Sequence, residues 1–580
     1  MPPDDVFGGM LDGASQQQQK PPAQPRQPAG APKPFRELGH DHGRYYVWSS
    51  GPKQVVELSA RDLHSLPELN KLAPIPWWEG EYPGGRDTFN VRGAGNALIE
   101  ECHAQGIFDP DRLRGRGVWF DDGRVVAHLG DALLVEGQRL GLGELVSQQV
   151  YQQGRRIVLG EGDALPAPLT DAEGRALLEC CRALSWEDAD RDGSLLAGWI
   201  ACGILGGGLH WRPHLWLTSE AGSGKSWVFD NIIKPCLGQF SLWVQGKSTE
   251  AGIRGVLATD VLAVCFDEAE SQNDIDRGRM QQVLDLARQA VSGDNAPIAK
   301  GTKDGGARLQ YIRSCFALGS INLALSQTGD ETRFIVLPLG EGTPAQFARL
   351  KQLHAKAMVP QIGARLFMRL IALVPTVRAN ADMLAEAIAR SGATRRAGDV
   401  LGAALAGGLA LTSDRRLTAA QADKLIAKHA WVREAAAASA PEPEWRRILT
   451  RLMQHPVRFV SRGGRPDVAS VAELAEVVRS GQTDGGRHNI LDADDALRRM
   501  GIRVMPEELR IANRAPGVDD ALRGSPWAVG WHATLARAPG AKRDVATRFH
   551  ALSGMSKALA IPLKLLTFDE PEPEPDVAII

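Results

Sequence analysis

Few features of this sequence point to a metal framework, a disulfide scaffold or a secreted protein. Its 580 residues include only seven cysteines, and no two of them stand in a Cys-x-x-Cys spacing. Zinc ribbons and thiol redox motifs need that spacing. The cysteines lie mostly in apolar runs, which predicts buried free thiols in a reducing compartment. Zinc-ribbon primase chemistry is therefore not expected in this chain.

The sequence also lacks long apolar runs and a strong charge of either sign. No run reaches membrane-spanning length, and the N-terminus has no basic segment followed by an apolar one. We therefore expect a cytoplasmic protein without membrane contact. With 67 lysines and arginines against 69 aspartates and glutamates, the net charge is −2. Any binding to nucleic acid must then come from local basic elements.

A strand–loop–helix pattern typical of a phosphate-binding loop stands near the middle of the chain. The short apolar run at residues 215–218 is followed by the glycine-rich segment at residues 219–226. Gly222 and Gly224 allow the backbone around Ser223 to curl and to turn its N–H groups toward a phosphate. The pattern predicts a nucleotide site at the end of a buried parallel strand.

The last two residues of this loop predict the rest of the nucleotide chemistry. Lys225 would reach the β- and γ-phosphates of ATP, and the Ser226 hydroxyl would hold Mg²⁺. Ser219 occupies the position where the usual pattern has its first glycine. The alternative is a chance Gly-Lys-Ser sequence in a turn, and the downstream residues argue against it.

A second apolar run, residues 261–266, ends in the acidic pair Asp267 and Glu268. In an open α/β sheet, ligands bind at the carboxyl ends of the strands, which is where this pair would lie. Asp267 would complete the Mg²⁺ shell, and Glu268 would polarise the attacking water. The alternative is an exposed acidic helix start, because Glu270 and Asp274 continue the acidic pattern.

Residues 297–313 predict a β-hairpin between these motifs and the next strand. The Lys-Asp-Gly-Gly centre favours a tight turn and places Lys300 and Lys303 near the tip. Two lysines there could contact a DNA backbone, or they could simply belong to a solvated turn.

A third apolar run, residues 314–319, is followed by the polar residues Ser320 and Asn322. Arg333 then stands immediately before a further predicted strand at residues 334–339. A surface salt bridge is the simple structural interpretation of this arginine.

The order of these motifs over residues 195–345 resembles superfamily 3 helicases, and more narrowly the ATPase half of phage and poxvirus primase-helicases within the AAA+ group. The resemblance implies that Ser320 or Asn322 senses the γ-phosphate. It also implies that Arg333 acts as a finger on the ATP of a neighbouring subunit. The family often has Arg-Arg and Asn-His-Leu-Pro at these places, whereas this chain has Thr-Arg and Ile-Asn-Leu-Ala.

The resemblance further implies partners and an assembly. Lys300 or Lys303 would track single-stranded or forked DNA, and the subunits would form a homo-oligomeric ring, a hexamer in the family. A separate primase is a possible partner, since the chain shows no primase site of its own.

We expect an α/β P-loop NTPase core of the AAA+ type, flanked by smaller domains. These are an N-terminal α+β domain, a helical lid and a C-terminal winged-helix-like domain. The predicted boundaries are 1–34 for a disordered Gln/Pro-rich tail or linker, 35–165 for the α+β domain, 166–345 for the ATPase core, 346–455 for the lid, and 456–580 for the winged-helix-like domain with its acidic tail.

The N-terminal and C-terminal domains could each have a binding role or a purely structural one. Arg112, Arg114 and Arg116 lie close to aromatic residues and could bind nucleic acid, or they could form a solvated loop before a core strand. In the C-terminal domain, two predicted helices precede strand-like segments at 502–504, 509–511 and 531–535. A winged helix can bind DNA or another protein.

The expected function is therefore an ATP-dependent DNA helicase or translocase of phage-type replication. One alternative is an AAA+ replication initiator or loader that does not unwind DNA. Another is a nucleotide-gated DNA-binding scaffold that binds ATP and scarcely hydrolyses it. The presence of Glu268 argues against the scaffold, and the lysine hairpin favours a motor over a loader.

Overall fold

The computed structural model describes most of the chain, with the backbone alone described at residues 274–275, 299–301 and 307–309. The described residues are 32–84, 88–160, 162, 164–220, 222–267, 274–291, 298–301, 307–321, 332–429, 431–432, 442–481, 489–550 and 554–566.

The N-terminal region combines two antiparallel sheets with three helices, as an α+β arrangement requires. Each of these sheets contains antiparallel hairpins, and one of them turns at Asp122 and Gly123, whose φ angles of 52° and 76° are those of a tight hairpin turn. The elements are β1 (Phe35–Asp41), β2 (Arg44–Ser49), β3 (Gln54–Ser59), α1 (Leu66–Leu69), α2 (Ile75–Glu81), α3 (Val91–Gln105), β4 (Leu113–Arg114), β5 (Gly117–Asp121), β6 (Arg124–His128), β7 (Ala132–Val135), β8 (Gln138–Gly141) and β9 (Val150–Tyr151). The strand orders are β1-β2-β3 and β5-β6-β7-β8, while β4 pairs in parallel with β9.

The middle of the chain builds a five-stranded parallel sheet, which confirms the predicted α/β core. The elements are α4 (Asp171–Arg182), α5 (Ala189–Leu205), β10 (His214–Ser219), α6 (Lys225–Val228), a π-helical turn (Phe229–Ile233), α7 (Lys234–Leu237), β11 (Ser241–Gln245), α8 (Glu250–Leu257), β12 (Ala263–Asp267), α9 (Asp274–Ala290), β13 (Ile298–Gly301), β14 (Ala307–Gln310), β15 (Phe316–Ser320) and β16 (Phe334–Leu339). The strand order of the sheet is β11-β12-β15-β10-β16. A separate two-stranded hairpin, β13–β14, lies between β12 and β15 in the sequence.

Within the described residues 344–428, the helices that follow the sheet share its hydrophobic core. Phe367 from the longest of them stacks on Phe240, with ring centroids 4.2 Å apart and planes at 13°. The helices are Pro344–Ala357, Ile362–Arg390, Arg395–Ala410 and Ala419–Lys428. Their helical character was predicted, whereas their role as a lid stays a prediction.

The C-terminal region has a hydrophobic core of its own, built from residues between 448 and 561. Among the described residues it contains a two-stranded hairpin, several helices and a four-stranded antiparallel sheet. The elements are the helices Glu444–Met453, Val471–Ser480, Ile490–Met500, Pro516–Ala521 and Trp531–Leu535, and the strands Pro456–Val460, Pro466–Ser470, Ile502–Val504, Glu508–Ala512, Lys542–Thr547 and Ser556–Pro562.

One predicted strand of this region is wrong, because Trp531–Leu535 is a helix. Gly530 precedes it with a φ of 83°, and the Trp531 indole donates a hydrogen bond of 2.7 Å to Asp519. Tertiary packing of Trp531 thus overrides the strand preference of an aromatic residue. The two helices and the strands at 502–504 and 509–511 are present, but a winged-helix fold stays a prediction.

Two further observations concern membranes and thiols. Among the described residues, no single helix has the length and apolar character to cross a bilayer, although Pro344–Ala357 together with Ile362–Arg390 passes that test as a pair bent by 65°. All seven cysteines are buried and free, as predicted. Burial raises the pKa of their thiols, to about 11 for Cys102.

Candidate nucleotide site

The glycine-rich loop leaves the carboxyl end of β10 and leads directly into α6. Gly222 and Gly224 have φ angles of 86° and 92°, in the left-handed region that favours glycine. A Cβ at either position would meet nothing within 4 Å. The backbone conformation, and not a lack of space, therefore requires glycine at these two positions.

An open cavity of about 1210 Å³ lies over this loop. Its wall brings together Lys225 and Ser226 from the start of α6 with Asp267 from the end of β12. Ser223 also contributes to the wall. Because β10 and β12 run parallel, their carboxyl ends meet at the same edge of the sheet, and two distant motifs form one site.

The residues of this cavity fit Mg²⁺ bound together with a nucleotide. Magnesium is usually held by one or two protein oxygens, with phosphate and water supplying the rest. The Ser226 hydroxyl and the Asp267 carboxylate provide two such oxygens in one wall. Among the described residues, no group of three or more histidine, cysteine, aspartate or glutamate side chains could hold a metal ion alone.

Gly319, which sequence reasoning missed, controls how closely β15 approaches the loop lysine. A Cβ at this position would lie 2.6 Å from the Phe229 ring and 3.3 Å from Cδ of Lys225. Because Gly319 has no side chain, the aliphatic part of Lys225 can lie against β15 at this position. The sequence signal was a glycine inside an otherwise apolar strand, which often marks a close approach.

Ser320 lies at the end of β15, between the loop strand and the Asp267 strand. Its side chain is fully buried, and its hydroxyl accepts a hydrogen bond of 2.8 Å from the Trp216 indole. Ser320 is not among the residues that line the cavity, although the next residue, Ile321, is. The structure therefore places the Ser320 hydroxyl inside the sheet.

Three predicted site residues are not seen in the cavity. Glu268 and Asn322 lie outside the described residues. Arg333 lies at the amino edge of the sheet, where the strands begin, and its carbonyl accepts a hydrogen bond from the His214 backbone N–H. The five residue steps of β10 separate that edge from the loop by about 17 Å. Arg333 therefore cannot reach the cavity of its own chain.

The predicted hairpin is present, with Lys300 paired opposite Arg308 in the register of β13 and β14. Gln310, at its base, donates hydrogen bonds to the carbonyls of Arg254 and Ala258 at the end of α8. The Lys300 side chain and the whole of Lys303 lie outside the described residues. The hairpin is thus anchored to the core, while the contacts of its lysines stay a prediction.

The three N-terminal arginines, Arg112, Arg114 and Arg116, contact other residues of the chain. Arg114 is buried and paired with Asp121 at 3.2 Å. Arg116 donates to Asp260 at 2.6 and 2.9 Å. Arg112 lies over the Phe108 ring at 5.5 Å. These contacts favour the structural interpretation of the cluster over a nucleic-acid grip.

A buried histidine joins three elements beneath the site. His214 accepts a hydrogen bond of 3.1 Å from the Phe316 backbone N–H at Nδ1, and its Nε2 lies 2.6 Å from the Ala287 carbonyl. The carbonyl fixes the tautomer, because only a protonated Nε2 can donate to it. Burial lowers the pKa of His214 to about 3, so the ring is uncharged at neutral pH.

The cavity wall also contains side chains that sequence reasoning missed. Lys247 follows the end of β11, and Arg279 lies on α9, where it pairs with Asp276 at 2.8 Å. Two tryptophans, Trp227 and Trp243, also line the wall. The available signal was positional, since a polar residue just after any strand of this parallel sheet lies at the same edge.

Comparisons with known proteins give no family assignment. No family model matches the chain, and no curated protein matches it. Among solved structures, it is similar to an active helicase described as SCCmec type IV Cch, with 13% identity, 92% of this chain and 94% of that chain covered, and a TM-score of 0.43. It is also similar to the apo C-terminal region of NrS-1, with 11% identity, 76% and 96% coverage and a TM-score of 0.27. With TM-scores below 0.5, these likenesses carry no conclusion about the present chain.

Proposed function

We propose that this chain is an ATP-dependent DNA helicase or translocase of phage-type replication that works as a ring of subunits. The observation that carries the proposal is the single cavity shared by the glycine-rich loop, Lys225, Ser226 and Asp267. These are the groups that a Mg²⁺–triphosphate needs, at the sheet edge where such ligands bind.

Each residue of the site has a part in hydrolysis. The loop N–H groups around Ser223 would hold the phosphates, and Lys225 would contact the β- and γ-phosphates. Ser226 and Asp267 would hold Mg²⁺, which neutralises charge on the phosphate oxygens. Glu268 would orient the attacking water and accept its proton.

Asn322 is the better candidate for the γ-phosphate sensor. The alternative, Ser320, already accepts a hydrogen bond from Trp216 within the sheet. An amide two residues further along the chain could donate to a phosphate oxygen without breaking that contact.

Arg333 would act on the ATP of a neighbouring subunit. Its distance from the cavity of its own chain excludes a role there, whereas a ring of subunits, six in the family resemblance, would bring it to the next cavity. Hydrolysis would then depend on assembly.

DNA contact would come from the β13–β14 hairpin through Lys300 or Lys303. Lysines at a hairpin tip bind phosphates without reading bases, so affinity for single-stranded DNA should fall steeply with salt. The attachment of the hairpin to α8 through Gln310 would link its movement to the ATPase core.

The test is the rate of ATP hydrolysis with and without single-stranded DNA, for the parent and for Lys225→Ala and Glu268→Gln. We expect DNA to stimulate the parent, and both substitutions to lower the rate by about 100-fold or more. Binding of ATP with slow hydrolysis that ignores DNA would refute the motor and support the nucleotide-gated scaffold. DNA-stimulated hydrolysis without strand separation would instead support an initiator or loader.

A further inference from the structure

We infer that Trp227 is the side chain on which the base of the bound nucleotide stacks. The inference rests on the proposed nucleotide site and adds a recognition element to it. Trp227 directly follows Ser226 in α6, and it lines the same cavity as the phosphate-binding loop.

The polarity of the triphosphate decides which end of the cavity receives the base. Ser226 and Asp267 would hold Mg²⁺ beside the terminal phosphates, so the γ-phosphate would lie toward β12. In the sheet order, β12 lies on one side of β10 and β16 on the other. The base must therefore lie toward β16.

Trp227 lies on that side. Its indole ring meets the Phe347 ring edge-to-face, with centroids 5.9 Å apart and planes at 74°. Phe347 belongs to the helix Pro344–Ala357, which follows β16 in the chain. The other cavity tryptophan, Trp243, is on β11, the outermost strand on the other side of β12 from β10.

The Trp227 ring is held in place from behind and keeps one side toward the cavity. His354 packs beside it at 5.3 Å, and the His354 ring donates from Nε2 to the Asn231 carbonyl at 2.9 Å. Asn231 in turn donates to the Trp227 carbonyl at 2.9 Å. These contacts fix the ring before any ligand arrives, which lowers the entropic cost of stacking.

The polar edge of Trp227 is also unused. Among the described residues, its indole N–H has no hydrogen-bond partner, whereas the Trp243 indole donates to the Ser241 hydroxyl at 3.0 Å. A half-buried aromatic ring with a free polar edge in a cavity is suited to a flat heteroaromatic ligand. The nucleobase is the only such group on a nucleoside triphosphate.

The experiment compares binding of Mg-ATP and of inorganic tripolyphosphate to the full chain by calorimetry. We expect Trp227→Leu to weaken ATP binding about tenfold and to leave tripolyphosphate binding within about twofold, because stacking concerns the base alone. Trp227→Phe should restore most of the ATP affinity. Trp243→Leu, the matched control from the same cavity, should leave both affinities near the parent values.

Several outcomes would overturn the inference. Equal loss of both ligands in Trp227→Leu would mean that the ring shapes the phosphate loop and does not bind the base. Unchanged ATP affinity in Trp227→Leu, or a selective loss of ATP in Trp243→Leu, would place the base elsewhere. A parent protein that binds neither ligand would instead refute the nucleotide site itself, which separates the two failures.

Discussion

At the carboxyl edge of the central sheet, polar side chains face an open cavity, whereas at the amino edge they are paired with the N-terminal region. Asp260, just before β12, accepts hydrogen bonds from Arg116, and Arg313, just before β15, donates to Asp111 at 2.8 Å. Gly115 donates to the Thr259 carbonyl across the same contact.

The two edges of the same sheet therefore have different roles. The carboxyl edge offers side chains to a ligand, and the amino edge attaches the sheet to the N-terminal region. Both edges carry charged residues just outside apolar strands, and such residues look alike in a sequence. At the amino edge their partners come from the same chain, so their charges are already satisfied. At the carboxyl edge Arg279 is paired with Asp276, but Lys247 has no ion-pair partner among the described residues and is available to a ligand.

Arg333 is an exception to this difference, because it lies at the amino edge and we propose that it acts on the cavity of a neighbouring subunit. We expect Arg333→Ala to lower the ATP hydrolysis rate by about 1000-fold, as for other arginine fingers. Mixing Arg333→Ala with Lys225→Ala should restore part of the rate, since one variant supplies an intact cavity and the other an intact finger. If the mixture is no faster than its components, Arg333 does not act between subunits.

Arg116 belongs to the amino edge, where charged side chains are paired within the chain. Arg116→Ala would leave the Asp260 carboxylate, which is 12% exposed, without its main partner. We expect the free energy of unfolding to fall by about 2 to 3 kcal/mol in chemical denaturation, because a buried charge without a partner is costly. Affinity for Mg-ATP should stay within about twofold, since the cavity lies at the other edge.

Arg155→Ala is the control for this experiment. Arg155 is exposed and, among the described residues, has no ion-pair partner, so its removal should cost less than about 0.5 kcal/mol. Equal stability of the two variants, or a large loss of ATP affinity in Arg116→Ala alone, would show that the amino edge is not purely architectural.

The sequence predicted the sheet well because its signals are local. Short apolar runs bounded by turn residues marked four of the five strands of the parallel sheet, and acidic residues at the end of β12 marked its carboxyl end. The remaining strand, β11, was not predicted.

The features that the sequence did not show depend on contacts between distant segments. Nothing near Arg116 reveals that Asp260 is its partner, so the arginine cluster looked equally suited to nucleic acid. Likewise, the contact between Trp227 and Phe347 joins two helices that are far apart in the sequence, one before β16 and one after it. Trp531 was misread because its hydrogen bond to Asp519 and its burial decide its conformation, and not its local preference for a strand.

Equilibrium binding of Mg-ATP to the parent and to Lys225→Ala, measured by calorimetry, decides whether the open edge of the sheet is a nucleotide site. We expect one ATP site for each chain in the parent and a loss of affinity of about 100-fold in Lys225→Ala, with unfolding stability unchanged. Equal binding to both proteins, or no binding to a folded parent, would contradict the assignment of the open edge as a nucleotide site.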